Sequence, residues 1–534
     1  MAALLIPALW AVWTTPWFVS QDGPAHLYNS VLLRDLWRGL PPVAQLYRVR
    51  GHAIPNWAGH ALTVALLPFG PRAANALVLT LTMTLLGAAV LRFRRTLVPP
   101  SGERREHPLL WGAWAAALSV NYIWLIGFTG FLIGAALLLF TWRFYWERRD
   151  RNRPADLALL SLLLVGGWFC HLVSLAVTVL GLLVIALTAP PSAPDTARLR
   201  RRLGVRLASL ALCGVPLLPL ALSYGRVALE ASASPDLTGG ALSWTVSGWY
   251  WHLYAVDPLS LAPVRLLPFV HRGSRWAQLI APSLWISAGL AGLLLSSMRR
   301  RQGGRPIPWT WVALALLLTA AAAFGPDRFA HTGGGFLAPR LALLGLAAWT
   351  PLLAAPRRRW PAVLFTALLA AAALLQAASV WDYARVCRQR ARGLEWAQQH
   401  LPRGPVTVAA YPGPILPLFR ADPRLHFDDL LGLDGRILWN NYEAALNYFP
   451  VEPRPEARGV SPEKLARITT LCTHDDPERI RAWRDLLVAD APRVDYLVVW
   501  APEEVDSVQM SLYRAISPEG FRPRIYQRRE INSE

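Results

Sequence analysis

Apolar segments about as long as a membrane-spanning helix alternate with short polar runs along the first 380 residues. Because a helix needs about 20 apolar residues to cross the hydrocarbon core of a bilayer, this pattern predicts a multi-pass α-helical membrane protein. We predict about eleven spans in all. They fall at 2–19, 73–91, two within 109–146, two within 157–189, 207–224, 277–298, 309–324, 337–355 and 360–380.

The polar runs between these segments are rich in arginine and predict the orientation. Basic residues near span ends are retained on the cytoplasmic side. All the runs agree with one topology, in which the N-terminus is cytoplasmic and everything after residue 381 is outside. They lie at Arg92–Arg95, Arg148–Arg153, Arg198–Arg206, Arg299–Arg301 and Arg357–Arg359. Lys464 is the single lysine, which suggests a GC-rich bacterial genome and hence a bacterial inner membrane.

The last part of the chain, 382–534, has a different pattern. Short strand-like runs bounded by Pro and Gly alternate with helical patterns, which is typical of an α/β domain. The strand-like runs are Val406–Tyr411 and Tyr496–Trp500, and the helical patterns are Pro477–Ala489 and Val505–Ile516. About 150 residues can form a hydrophobic core of their own. We therefore predict a membrane domain, 1–381, followed by a small periplasmic α/β domain, 382–534.

Composition supports the membrane prediction and excludes one class of partner. Hydrophobic residues make up 54% of the chain, the mean hydropathy is +0.30 and only 16% of residues are charged, against about 25% in soluble proteins. A net charge of +20 would suggest nucleic acid in a soluble protein. Here the arginines lie between apolar segments, so we expect them to meet membrane lipids and expect no nucleic-acid partner. Cys387 and Cys472 lie in the polar tail and could pair in the periplasm.

The stretch Ser20–Asn29 follows directly after the first predicted span and begins an outer loop, 20–72. Asp22 followed by Gly and Pro is typical of a helix start, with Asp as N-cap. We predict an amphipathic helix from there to Trp37, lying on the membrane surface. Helix spacing places His26 within one turn of Asp22. Asp22 is then either a cap that ends the span or a general base facing a substrate delivered from the lipid.

Other polar residues at predicted outer ends are candidates for substrate binding. Arg340 follows a Gly-rich stretch before the tenth span and could contact a phosphate, or it could be an interfacial arginine that reaches towards water. His171, at a predicted outer turn, is either a polar turn residue or a substrate contact. Arg48, Arg50 and His52 are further candidates. The aromatic outer loop 225–276 could stack on sugar rings, although a membrane belt explains it equally well.

An Asp that opens an amphipathic helix in the first outer loop resembles the GT-C superfamily of integral-membrane glycosyltransferases. Further segments are similar to uncharacterised bacterial members. They are Pro55–His60, Asn121–Phe131, Gly333–Leu341 and Trp439–Glu443. The resemblance implies transfer of a sugar from a polyprenyl-phosphate donor at the outer face of the membrane, with inversion, to a glycan, lipid or protein acceptor. It implies Asp22 as the general base, His26 as an orienting residue, and Arg340 with Asn56 at the donor.

Many such families carry a second acidic residue in the next outer loop, and the turn near Asn121 has none. A divalent metal is therefore not indicated, and we expect no cofactor. No HExxH, P-loop or GxSxG motif is present.

Two other classes of function remain open. A transporter or flippase of a lipid-linked saccharide would explain the many spans, although mid-membrane charges and an inverted repeat are not evident. A non-catalytic scaffold would bind envelope partners through the tail.

Overall fold

The structure is a computed structural model of the whole chain. It describes residues 1–51, 53–97, 108–151, 153–190, 199–232, 309–325, 336–352, 359–411, 413, 421–446, 448–454, 483, 485, 487–489, 493–502 and 512–529. The predicted eighth span, 277–298, lies outside these residues, as do His52, Cys472 and most of the predicted outer loop 225–276.

The described residues are mostly helical. The helices are α1 (Ala2–Thr14), α2 (Gly23–Trp37), α3 (Pro41–Leu46), α4 (Trp57–Leu66), α5 (Pro71–Phe93), α6 (Pro108–Ser119), α7 (Tyr122–Ile126), α8 (Thr129–Arg148), α9 (Pro154–Cys170), α10 (Leu172–Thr188), α11 (Leu199–Gly214), α12 (Leu217–Ser232), α13 (Trp309–Phe324), α14 (Leu337–Trp349), α15 (Arg359–His400) and α16 (Tyr442–Ala445). The strands are β1 (Tyr47–Val49), β2 (Thr407–Tyr411), β3 (Ile437–Leu438), β4 (Val451–Pro453), β5 (Tyr496–Val499), β6 (Tyr513–Ala515) and β7 (Arg524–Arg528).

Several helices are apolar and long enough to cross a membrane. Within the described residues there are 4 such helices, or 5 when the bent pair α11 and α12 is one span. Six shorter apolar helices accompany them, including α1, α9, α10 and α14. The fold is therefore that of a multi-pass membrane protein, and the count of eleven spans stays a prediction.

The predicted breaks between helices are present. The apolar stretch 157–189 divides at His171, where α9 ends and α10 begins. The predicted turn between the third and fourth spans is occupied by the single helical turn α7, which Gly127 ends with a φ of 102°. Polar or glycine residues at these positions let the chain reverse without leaving a backbone group unpaired.

One helix crosses the position where the sequence predicts a domain boundary. α15 has 42 residues and continues without a break past residue 381 to His400. It contacts α1 and α6, and Cys387 on it lies 3.8 Å from the carbonyl of Val19. Cys387 is a free, buried thiol. The two-domain division remains a prediction, and one unbroken helix joins the described part of the tail to the preceding helices.

The tail contains a mixed five-stranded sheet with the order β3-β2-β5-β7-β6. β2 pairs in parallel with β3 and β5, and the other pairs are antiparallel. The two strand-like runs of the sequence are β2 and β5, as predicted. The helix predicted to end at Ile516 is wrong at its end, because residues 513–515 form β6. Tyr513 there is buried and donates to the carbonyl of Val494, so pairing with β7 overrides the local helical pattern.

The tail docks onto the loop 20–72, which the sequence predicts to be the first outer loop. β1 of the loop pairs with β4 of the tail in an antiparallel ladder, with Arg48 opposite Glu452. α2 contacts a 3-10 helix of the tail, Phe427–Asp434, and the Tyr28 hydroxyl accepts from the backbone of Leu438. The tail therefore covers α2, and the predicted position of this helix on the membrane surface stays a prediction. Its polar residues Asn29 and Ser30 are buried under the tail rather than exposed to water.

Candidate functional site

The backbone around Asp22 is held by the turn between α6 and α8. The amides of Gln21 and Asp22 donate to the carbonyls of Leu125 and Ile126, both at 2.8 Å. A glycine at position 127 permits this close approach, because a Cβ there would lie 2.6 Å from Ser20 Oγ, closer than real side-chain atoms approach. The turn and the beginning of the loop 20–72 are thus fitted together, and backbone hydrogen bonds fix the position of Asp22.

The side chain of Asp22 is not a helix cap. Asp22 occupies the N-cap position of α2, as predicted, but its carboxylate makes no capping hydrogen bond. Oδ1 accepts from Gln21 Nε2 at 3.2 Å, and His426 Nε2 lies 3.8 Å away. Burial raises the pKa of Asp22 to about 6, and the charge of His26 opposes this rise. The carboxyl is therefore suited to exchange a proton near neutral pH.

Glu443 from the tail lies directly against α2. Its Oε1 is 3.0 Å from His26 Nδ1 and 2.6 Å from His60 Nε2, and its side chain is 0% exposed. Its Oε2 accepts from Asn29 Nδ2 at 3.1 Å, and Asn29 also exchanges hydrogen bonds with Asn441. Residues more than 400 positions apart thus form one buried polar cluster, which we call the Glu443 cluster: His26, Asn29, His60, Asn441 and Glu443.

The histidines and the carboxylate of the Glu443 cluster shift each other's pKa values. Burial alone would raise the pKa of Glu443, but the adjacent His26 and His60 lower it to about 2. Burial would likewise lower the pKa of His26, but the carboxylate of Glu443 raises it above its ordinary value. A buried carboxylate with this many donors is stable only as a complete group. His26 therefore serves first to hold the tail, and its predicted role in orienting Asp22 or substrate stays a prediction.

Arg340 is the second strong candidate at the site. It lies in the first turns of α14, is 5% exposed, and its guanidinium carbon is 4.2 Å from the ring centre of Phe128 and 5.6 Å from that of Phe131. Its Nε and Nη1 have no hydrogen-bond partner among the residues that the structure describes. Its charge acts on Asp22. The interpretation as an arginine reaching towards interfacial water is therefore wrong, because the head group is enclosed.

Arg48 and Arg50 hold the tail rather than face an open site. Arg48 Nε donates to Glu452 Oε1 at 2.8 Å. Arg50 contacts Glu452 Oε2 at 2.8 Å and donates to the carbonyls of Phe449 and Leu446. Their guanidiniums are committed to the β1–β4 junction, so the prediction that they bind a donor phosphate is not supported by their positions.

His171 and Asn56 lie near the site in different ways. His171 caps α10, since its Nδ1 accepts from the amide of Val173 at 3.1 Å, and its ring packs edge-on against Phe131. His171 is thus a polar residue of the turn, and its predicted contact with substrate stays a prediction. Asn56 has a left-handed φ of 66°, and its buried Oδ1 has no partner among the described residues. Such strain is common at functional sites, which leaves Asn56 a candidate.

Sequence reasoning missed the role of two residues. Glu443 belongs to a segment, Trp439–Glu443, that the sequence singled out without assigning it chemistry. The signal was a glutamate beside two asparagines in an otherwise apolar part of the tail. His60 was within the segment Pro55–His60 and looked like a histidine of no special role. Only the fold shows that these segments meet.

The class of protein is defined by these features: a multi-pass membrane protein that carries a buried acid and a buried cation at one end of its helices, covered by an α/β tail. No protein-family model and no curated protein matches the chain.

The chain is similar to two crystal structures of ArnT from Cupriavidus metallidurans. One is in the apo state, with 12% identity and a TM-score of 0.49. The other is bound to undecaprenyl phosphate, with 12% identity and a TM-score of 0.48. Each alignment covers 98% of this chain and 96% of the other. At this identity and these TM-scores the similarity assigns neither a family nor an activity.

Proposed function

We propose that the protein is a GT-C-like glycosyltransferase that moves a sugar from a polyprenyl-phosphate donor to an acceptor at the outer face of a bacterial inner membrane. The observation that carries the proposal is that a buried acid, Asp22, and a buried cation, Arg340, lie near enough for the charge of each to act on the pKa of the other. A buried carboxyl with a pKa of about 6 lies within the electrostatic reach of a buried guanidinium whose Nε and Nη1 are unpaired among the described residues.

These two groups fit the two charges of the reaction. Asp22 removes the proton of an acceptor hydroxyl as its oxygen attacks the anomeric carbon. The bond from that carbon to the phosphate oxygen breaks, and the negative charge left on the lipid phosphate is stabilised by Arg340. Direct displacement of this kind inverts the anomeric centre. The proton ends on Asp22, and the leaving group is the polyprenyl phosphate.

The surroundings of Arg340 favour an anion that arrives with a lipid. A buried cation without a carboxylate partner is costly, and an incoming phosphate would offset that cost with charge-assisted hydrogen bonds. The faces of Phe128 and Phe131 against the guanidinium exclude water from this side of the group. Tyr448 is a third group at the site, since the charges of Asp22 and Arg340 both act on its hydroxyl, whose pKa burial raises.

The test uses the purified protein in lipid vesicles with a panel of polyprenyl-phosphate hexoses and pentoses. We expect Asp22→Asn to lower transfer by about 10²–10⁴-fold while insertion and melting temperature stay unchanged, because only the base is lost. Asp35→Asn is the matched control: Asp35 lies on the same helix but pairs with Arg34.

Full transfer by Asp22→Asn would show that Asp22 is not the base. Movement of lipid-linked sugar across the membrane without a new glycosidic bond would instead favour a transporter. Binding of envelope glycans by the wild type without either activity would favour a scaffold.

A further inference from the structure

His26, His60 and Glu443 come from α2, α4 and α16, and each directs one ligand atom at the same point. These three atoms lie within 4.8 Å of one another. His60 and Glu443 are buried, and His26 is mostly so. Two imidazole nitrogens and one carboxylate oxygen are a set that proteins use for zinc and related ions.

One carboxylate oxygen of Glu443 lies between the two imidazoles. Oε1 is 2.6 Å from His60 Nε2 and 3.0 Å from His26 Nδ1. The other ring nitrogen of His60, Nδ1, faces the carbonyl of Asn56 at 3.4 Å. Two imidazole nitrogens from separate helices therefore converge on a single oxygen, and one cation could bind all three atoms in place of their contacts with one another.

His26 repeats the arrangement. The backbone carbonyl of Gly127 accepts a hydrogen bond from its ring, while Nδ1 lies 3.0 Å from the same Glu443 oxygen. Each imidazole thus has one nitrogen directed at the Glu443 oxygen and the other at a backbone carbonyl, which is the usual arrangement of histidines that bind a metal ion.

We propose that His26, His60 and Glu443 bind a divalent transition-metal ion, with zinc as the first candidate. Metal bonds of about 2.0–2.1 Å place tetrahedral ligand atoms about 3.3 Å apart, so the two nitrogen–oxygen separations must widen by about 0.3–0.7 Å. The ion would join the first outer loop to the tail.

The groups around the three ligands are those expected of a metal site. Ligating imidazoles usually donate their other nitrogen to a carbonyl, as the Asn56 carbonyl allows for His60. Asn29 donates to the second oxygen of Glu443 and fixes its orientation. The ring of Phe449 lies 5.6 Å from both imidazole rings and shields the cluster. His26 also lines a small cleft together with Ser20, Gly23 and Thr63.

The experiment measures metal content, so it does not depend on sugar transfer. The full chain, purified in detergent without a histidine tag, is stripped with a chelator, dialysed against dilute Zn²⁺ and assayed by elemental mass spectrometry. We expect about one ion per chain in the wild type, and loss of that ion in His60→Ala and Glu443→Gln. His400→Ala is the control, because His400 is exposed and stacks on Trp396 outside the cluster.

A second variant separates metal binding from general loss of structure. His60→Cys supplies a thiolate, which is itself a zinc ligand, so it should retain the ion where His60→Ala does not. Cobalt bound to that variant should show a sulfur-to-cobalt charge-transfer band that the wild type lacks. Absence of bound metal in the wild type would mean that His26, His60 and Glu443 only contact one another. That result, or equal metal content in every variant, overturns the proposal.

Discussion

Arg340 and Arg436 are both buried arginines, and the structure predicts opposite consequences of removing them. Arg340 leaves Nε and Nη1 unpaired among the described residues. Arg436 is 1% exposed and donates to four backbone carbonyls and to Asp434. Among the described residues, two nitrogens of the Arg340 guanidinium therefore lack a hydrogen-bond partner. All three nitrogens of the Arg436 guanidinium have one.

For Arg340→Met we expect a small change in stability. The loss of ring contacts costs about 0.5–2 kcal/mol, and relief of the unpaired buried charge offsets a similar amount. The net change should lie within about 1 kcal/mol. For Arg436→Met we expect a loss of about 3–5 kcal/mol, because Asp434 and four carbonyls lose their donor.

Arg340→Met should affect the binding of a lipid phosphate more than Arg436→Met does, which is the reverse of their effects on stability. One lost charge-assisted hydrogen bond of about 1.5–3 kcal/mol weakens affinity for a lipid phosphate about 10–150-fold in Arg340→Met. Undecaprenyl phosphate is a suitable probe, and the assay is the shift in melting temperature with lipid concentration, which reports binding to the folded state. Arg436→Met should melt earlier but keep the wild-type shift.

Two results would refute this reasoning. An unchanged lipid-dependent shift in Arg340→Met would show that the guanidinium does not meet the phosphate. A loss of stability in Arg340→Met as large as that in Arg436→Met would show that the buried charge of Arg340 already has a partner in the folded protein.

Two further predictions concern the position of Asp22 and its proton. Because Asp22 has a pKa of about 6 and must be ionised to accept a proton, kcat/KM for transfer should rise with pH through about 6 and level off above it; a flat profile there would exclude Asp22 as the titrating base. Gly127→Ala should lower both melting temperature and transfer, since its φ is 102° and its new Cβ would lie 2.6 Å from Ser20 Oγ. Gly39→Ala is the control, because its φ is also positive but nothing lies within 4 Å; equal effects of the two changes on transfer would show that the contact with Ser20 is unimportant.

Local signals were enough to predict the features that depend on neighbours in sequence. The start of α2 at Asp22, the division of an apolar stretch at His171 and the strands β2 and β5 all follow from capping residues, turn residues and side-chain alternation. Each of these features depends on about ten neighbouring residues of the chain.

The features that the sequence did not reveal depend on distant partners. Nothing near Glu443 indicates that its carboxylate meets His26, 417 residues earlier. The helical pattern at Tyr513 gave way to a strand because β7 offered a free edge. The amphipathic pattern of α2 depends on its own residues, whereas the burial of its polar side chains comes from the tail that covers it.

The 417-residue separation between His26 and Glu443 also sets an order of events during synthesis. At 5–20 residues per second, the ribosome reaches position 443 about 20–80 s after position 26. Throughout that interval the first loop has been made, yet Asn29 and both histidines lack the carboxylate that completes their cluster. The end of the chain therefore acts as a late assembly step: a protein whose tail is missing or still unfolded cannot complete the surroundings of Asp22.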